Sequence, residues 1–282
     1  MAAPASLIAQ AAKRLASLPN AELDAELLFR GIAGLTRAEF LAQGDEPVDS
    51  ATAARFEAAV DRRERHEPIQ YILGVAAFWR DEFVVTPAVL IPRPDTEVLV
   101  EAVAGLLRTV ESPRLLDLGT GSGCIALSLL RELPSAKAMA VDLSEEALAV
   151  ARGNAERLNL ERRIQFRRSR WFDAIPGDET FAAIVSNPPY VARADAAALP
   201  TEVRDFEPAL ALFAEPNDDL SSYRAIVAGL GARLRSGGWL ALEVGQGQAA
   251  GVAAILATTE LTSIKTVNDL ASIPRVVLGR RL

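Results

Sequence analysis

The chain has 282 residues, a formal net charge of −7 and 50% hydrophobic residues, which suits a globular protein of about two domains. Its single cysteine, Cys124, excludes an intramolecular disulfide and a cysteine-based metal centre, and its single histidine, His66, argues against chemistry built on a histidine base or a histidine-rich metal site. The acidic balance argues against broad nucleic-acid binding, which needs surplus Lys and Arg to neutralise phosphates, and no apolar run reaches the roughly 18 residues of a membrane span.

The N-terminus is interrupted by Lys13 and Arg14 before a signal-like stretch could form, so a cytoplasmic location and no membrane partner are expected. Three helices are then predicted in "ASLIAQAAKRLASL", "AELDAELLFRGIAG" and "SATAARFEAAVDRRER", where apolar residues recur at three- and four-residue spacing between Pro19-Asn20, Gly34 and Asp49-Ser50. They form a small bundle in which acids outnumber bases, either a packing module or a partner-recognition module. His66, in "RRERHEP", reads as a surface residue or a helix C-terminal contact. From Tyr71 to Ile91 the pattern turns β-rich, with Arg80-Asp81 as a hairpin turn. After Pro94 strands and helices alternate: "RLLDL", "GCIALSLLREL", "KAMAVD", "SEEALAVARGNAERLNL", "RIQFRR", "FAAIVS", "LSSYRAIVAGLGARL" and "GWLALEVG". This order predicts a parallel sheet covered on both faces, with "LTSIKTVND" and "PRVVLGR" as an antiparallel edge.

In "LLDLGTGSGCIALSLL" a strand runs into a helix through Gly119, Gly121 and Gly123, a turn that lets a ligand approach backbone with no Cβ in the way. Cys124 stands where a dinucleotide fingerprint needs its third glycine, and the Lys-Ser/Thr of a phosphate-binding loop is missing, so NAD and ATP fit poorly. The next strand ends at Asp142, where a carboxylate can accept both hydroxyls of a ribose. Asp117, Gly119, Thr120, Gly121, Ser122 and Gly123, with Asp142, resemble the cofactor signature of class I S-adenosylmethionine-dependent methyltransferases; the bland alternative is a glycine loop that only reverses the chain.

"SNPPY", Ser186 to Tyr190, ends a buried strand at the edge where open α/β sheets place ligands. Pro189 holds Pro188 extended, so the Pro188 carbonyl and the Asn187 side-chain oxygen form a rigid pair of acceptors. Such a pair suits an NH2 group, and Tyr190 offers a flat face for a planar, conjugated substrate. Amide nitrogen is a poor nucleophile because its lone pair is delocalised; binding both N–H bonds orients that lone pair and stabilises charge developing on nitrogen. Catalytic roles are therefore expected for Asn187, Pro188 and Tyr190, and substrate contact also for Pro189.

"EPIQYILG" (67–74), "LIPRPDTE" (90–97), "DLGTGSG", "SNPPY", "FEPALAL" (206–212) and "NDLASIPRVVLGR" together resemble, over nearly the whole chain, the PrmC/HemK glutamine N5-methyltransferases that modify peptide-chain release factors. The resemblance implies an α/β class I methyltransferase domain at 93–282, Rossmann-like with a mostly parallel seven-stranded sheet. It also implies a helical substrate-recognition domain at 1–72 and a β-hairpin linker at 73–92. It further implies S-adenosyl-L-methionine as methyl donor, S-adenosyl-L-homocysteine as product, and a monomer acting on the Gly-Gly-Gln glutamine of class 1 release factors. Trp171 would pack near the adenine, and Asn187 would touch cofactor as well as substrate. Arg170 departs from the acid that many relatives carry for the adenine amino group, and "FEPALALFAEPNDDL" lacks glycines usual in the family. Other readings remain: a core aromatic for Trp171, an interdomain turn with a helix start for "IPRPDTE", and a solvated face for the basic "RRIQFRRSR".

Three rival functions share these motifs. An adenine-N6 methyltransferase acts on a similar planar amine, but duplex DNA also demands base flipping and a positive channel. A ribosomal-protein glutamine methyltransferase would use the same catalytic turn. A cofactor-binding regulator without activity would have no need of a two-acceptor clamp.

Overall fold

The computed structural model describes residues 3–43 and 46–282. Two compact units result: Met1–Val75 with Pro200–Phe206, and Ala76–Leu199 with Glu207–Leu282.

The first unit contains helices α1 (Pro4–Arg14), α2 (Ala21–Ala33), α3 (Arg37–Gln43), α4 (Ser50–Glu64) and α5 (Ile69–Leu73). Local chemistry sets their ends. Asp49 caps α4 by accepting from the Ala51 and Thr52 N–H groups at 2.9 Å each. Thr36 and Glu39 exchange backbone-to-side-chain bonds of 2.8 and 3.2 Å at the start of α3, a capping box. His66 follows α4, its N–H donating to the Arg63 carbonyl at 2.8 Å. Leu15, Leu28, Phe29, Phe56 and Val60 fill the core, with Phe29 and Phe56 edge-on at 5.4 Å. Arg63 is buried among them and paired with Asp24 at 2.8 Å and with Glu202 at 2.7 Å. The helical stretch Tyr71–Leu73 differs from the β-rich expectation. Pro68 opens α5 and Gly74, at φ +77°, ends it, so tertiary burial of Tyr71 and Ile72 overrides their strand propensity.

Strands β1 (Val75–Phe78) and β2 (Asp81–Val84) form a hairpin whose turn is Trp79-Arg80, one residue earlier than expected, with Trp79 at φ +56°. Residues 85–91 continue as turn and coil rather than strand. In the second unit a 3-10 turn, Pro94–Thr96, leads into α6 (Glu97–Leu107). There follow β3 (Arg114–Leu118), α7 (Cys124–Glu132), β4 (Lys137–Asp142), α8 (Glu145–Arg157), β5 (Ile164–Arg168) and β6 (Phe181–Ser186). After α9 (Thr201–Phe206), part of the first unit, come α10 (Ala209–Leu212), α11 (Ser221–Leu230), β7 (Leu234–Glu243), α12 (Ala249–Ala257), β8 (Leu261–Asn268) and β9 (Pro274–Arg281).

The seven-stranded sheet runs β5-β4-β3-β6-β7-β9-β8, parallel from β5 to β7, with β9 antiparallel to both β7 and β8. This is the mostly parallel, class I methyltransferase arrangement expected. All six residues of β6 are buried, as a central parallel strand covered on both faces requires. Alternate residues serve opposite layers: Leu115, Ala183 and Val185 pack with Leu99 and Val103 of α6, whereas Leu116, Leu118 and Ile184 pack with Ile226 of α11 and Val252 of α12.

Asn154, on α8, ties the hairpin to the glycine loop. Its Oδ1 accepts from the Val84 N–H at 2.7 Å, and its Nδ2 donates to the Val84 and Ser122 carbonyls at 3.0 and 2.9 Å. Asn154→Ala would leave three buried or part-buried backbone groups without their partner and is expected to lower the unfolding free energy by about 1–3 kcal/mol, read by urea denaturation; an unchanged midpoint and slope would show that these bonds contribute nothing net.

Candidate functional site

The strand order reverses at β3 and β6, which lie side by side, Leu115 opposite Ala183 and Asp117 opposite Val185. The chain leaves one strand toward β4 and the other toward β7, so their carboxyl ends open a crevice. The glycine loop follows β3 and Asn187 follows β6. A cavity of about 590 Å³ lies here, within the usual size for a small-molecule site. Of the residues expected to bind, Gly119, Thr120, Gly121, Ser122, Asp142, Trp171, Asn187 and Pro189 line it. Asp117, Gly123, Pro188 and Tyr190 lie outside that lining.

Gly119 and Gly121 sit at φ +73° and +55°, in the left-handed region, and a Cβ on Gly121 would meet nothing within 4 Å. Gly123, at φ +83°, has a different reason to be glycine: a Cβ there would come within 3.1 Å of Leu127 and 3.2 Å of Ala151. Its demand is close packing of α7 against α8.

Asp142 orders the loop. Its Oδ2 accepts from the Gly121 N–H at 2.9 Å and its Oδ1 from the Ser144 N–H at 3.0 Å. Each oxygen keeps a lone pair for a vicinal diol. Burial raises its pKa, opposed by the Ser144 and Gly121 N–H groups. Asp117 is sealed beneath the loop, where Thr120 Oγ1 donates to it at 2.7 Å. Burial pushes its pKa up to about 7, against the pull of Thr120 and the Ala126 N–H. Burial likewise pushes the Cys124 thiol up to about 12, which leaves it a neutral lining group. Trp171 takes φ +47° beside the loop, and a Cβ on Gly119 would stand 4.0 Å from its ring. A diol acceptor, exposed loop backbone and a flat aromatic wall in one cavity have the chemistry that an adenosyl group calls for.

Arg170 pairs with Glu215 at 3.2 Å, both half-exposed on the cavity rim. The rest of the basic cluster mostly caps carbonyls: Arg163 donates to the Leu133 and Ala136 carbonyls, Arg167 to that of Ala174 and Arg168 to that of Leu143.

The Asn-Pro-Pro-Tyr turn is held by its backbone. Ser222 Oγ donates to the Pro189 carbonyl at 2.8 Å, and Gln248 Nε2 to the Tyr190 carbonyl at 3.1 Å. Asn187 Nδ2 donates to Thr96 Oγ1 at 3.3 Å. Desolvation pushes the Tyr190 phenol up to about 12, so it stays protonated and is no base. A Cβ on Gly245 would come 3.0 Å from the Tyr190 ring, so that glycine is needed for the ring to sit where it does.

Sequence reasoning missed several supports. Glu207 accepts from the Ile91 N–H at 3.1 Å and pairs with Arg93, which joins "LIPRPDTE" to "FEPALAL". Arg275 pairs with Asp95 and Asp269 at 2.8 Å each, which brings in the C-terminal motif. Thr96 and Glu243 are each 2% exposed. A carboxylate closing the apolar strand "WLALE" was a usable signal for Glu243. Burial raises its pKa to about 7. Among the described residues no cluster of His, Cys, Asp and Glu could hold a metal, and no helix is long and apolar enough to cross a membrane.

Comparison with known proteins places these features in context. Residues 6–74 match the PrmC N-terminal domain and residues 94–203 the methyltransferase small domain. The chain is 42% identical over 276 residues to the release factor glutamine methyltransferase of Burkholderia pseudomallei, covering 96% of each, and 40% identical to that of Xylella fastidiosa, covering 99% of this chain and 98% of the relative. The hMettl16 catalytic domain, solved with a MAT2A 3′UTR hairpin, superposes with a TM-score of 0.58 at 18% identity over 83% of each chain, a likeness of fold alone.

Asp117 and Glu243 make stability pH-dependent with a definite sign. Both have folded pKa values near 7, above their unfolded values, so between about pH 4 and 7 the folded chain holds protons that the unfolded chain releases, and stability falls as pH rises. Asp117→Asn is expected to flatten that fall in denaturant titrations at several pH values; an identical pH slope would show that Asp117 titrates alike in both states.

Proposed function

The chain belongs to the release factor glutamine methyltransferase family, and from that premise we propose that it methylates the side-chain amide nitrogen of the Gly-Gly-Gln glutamine in class 1 peptide-chain release factors. Near-full-length identity of 42% carries the choice of substrate. The oriented Asn187 amide beside the cavity supports the chemistry.

S-adenosyl-L-methionine, when bound, supplies a methyl group on a sulfonium and leaves as S-adenosyl-L-homocysteine. Asp142 would accept the ribose hydroxyls, Trp171 would flank the base, and the Gly119–Gly121 backbone would contact the donor. Asn187 Oδ1 and the Pro188 carbonyl would accept the two N–H bonds of the glutamine amide, turning the nitrogen lone pair toward the methyl group. The protonated Tyr190 would cover the amide plane. As the N–C bond forms, positive charge grows on nitrogen and both acceptors stabilise it, so no strong base is needed before attack. Once the N–C bond has formed, the surplus proton on nitrogen passes to solvent, which leaves the N-methyl amide neutral.

We read residues 1–72 as the part that grips the factor, 73–92 as the linker and 93–282 as the catalytic part. The acidic helical module suits a protein partner better than a nucleic acid.

The deciding assay supplies labelled S-adenosyl-L-methionine with a release factor, the same factor with its Gly-Gly-Gln glutamine replaced, a ribosomal-protein substrate, or DNA. Label is expected on the intact factor alone; label on DNA or on the ribosomal protein instead would overturn the substrate. Asn187→Ala is expected to lower kcat by about 10²-fold or more while changing the calorimetric cofactor affinity far less. Unchanged turnover would remove the clamp.

A further inference from the structure

We infer that Glu243 and Thr96 are positioning residues that fix which end of the Asn187 amide faces the cavity. The inference rests on the amide clamp proposed above and names the part of the molecule that sets its polarity.

Strands β6 and β7 run parallel with Ser186 opposite Leu242, so Asn187, the first residue past β6, and Glu243, the last residue of β7, lie at the same level. Thr96 stands where the 3-10 turn meets α6 and contributes to the cavity wall. Asn187 Nδ2 donates to Thr96 Oγ1 at 3.3 Å, and the Thr96 hydroxyl faces the Glu243 carboxyl, where its influence works against the rise in the Glu243 pKa. Both supporting residues are buried.

Proton counting gives the relay its direction. Above its pKa of about 7, Glu243 is a carboxylate that only accepts, so there the single Thr96 hydroxyl proton points to Glu243. The Thr96 oxygen can then only accept, and of the two ends of the Asn187 amide only Nδ2 can donate to it. Oδ1 is left for the incoming NH2 group. An amide rotated by half a turn would put its own NH2 against that of the substrate, donor facing donor. The Asn187 side chain alone has little preference between these orientations, since its two ends are nearly equal in size.

Glu243 has no other evident structural role. Its Oε2 has no hydrogen-bond partner, and the nearby cations are paired elsewhere, Arg93 with Glu207 and Arg275 with Asp95 and Asp269. A buried carboxylate without an ion-pair partner is costly. Orienting the clamp accounts for its presence.

The test uses the full chain, a release factor and S-adenosyl-L-methionine. Thr96→Val keeps the side-chain shape and removes the hydroxyl, so kcat is expected to fall about tenfold while KM for the factor and calorimetric cofactor affinity stay near the wild-type values. Thr96→Ser, which restores the hydroxyl, recovers most of that loss. Glu243→Gln, whose amide can donate as well as accept, is expected to lower kcat with the same split. A Thr96→Val kcat close to wild type, a loss carried wholly by KM or cofactor affinity, or a serine variant no better than valine would overturn the relay. Circular dichroism melts of the Thr96 variants confirm folding independently of Glu243. If wild type fails to methylate the factor, the proposed reaction falls; if wild type is active and Thr96→Val equally so, only the relay falls.

Discussion

The molecule turns on the parallel pairing of β3 with β6 at the place where strand order reverses. Because Asp117 is opposite Val185, both strands end at the same height and the chain departs from them in opposite directions. That geometry alone opens a crevice with backbone on both rims. The glycine loop occupies one rim and the Asn-Pro-Pro-Tyr turn the other, although Gly123 and Ser186 are 63 positions apart in the chain. No side chain has to reach far to bring donor and acceptor together.

Around that crevice the protein buries acids that an ordinary core would avoid. Asp117, Glu207 and Glu243 are all nearly inaccessible, and they are treated differently. Glu207 is held by Arg93 and the Ile91 N–H, and Asp117 by Thr120. Glu243 has no ion-pair partner, and burial raises its pKa against the pull of Thr96, Arg275 and Arg93. Of the three, only Glu207 is closed in an ion pair, whereas Asp117 and Glu243 each face a threonine hydroxyl. Arg93 and Arg275, held in their own ion pairs, are kept from competing for Asn187 Oδ1.

The turn is fixed by donors that approach its carbonyls from outside. Ser222 and Gln248 take the carbonyls of Pro189 and Tyr190, and the two prolines remove N–H groups that could fold the segment back on itself. Among the described residues no donor claims the Pro188 carbonyl. Methylating an amide nitrogen calls for rigidly placed acceptors rather than for a strong base, and the protonated Tyr190 and sealed Cys124 agree with that need. Gln248 links this turn to Asp219 as well, so the Tyr190 carbonyl and the segment before α11 share one anchor.

The sequence by itself determined the alternation of strands and helices, the glycine loop with Asp142 and the rigid turn that opens at Asn187, because each is carried by local rules: period and backbone freedom within a few residues. It also carried most of the family's motifs, with departures at Arg170 and in "FEPALALFAEPNDDL". It misled between Tyr71 and Ile91, where aromatic and β-branched residues form a short helix, a hairpin and coil, since burial rather than propensity decides such short runs. It could not distinguish Gly123, needed for helix packing, from Gly121, open to the cavity, because both look alike in a line of glycines. Arg93 with Glu207, Arg275 with Asp95, and Glu243 behind Thr96 were decided only by the tertiary structure. Each joins residues more than a hundred positions apart, and a hydrogen bond is set by distance and direction in space, which no local pattern encodes.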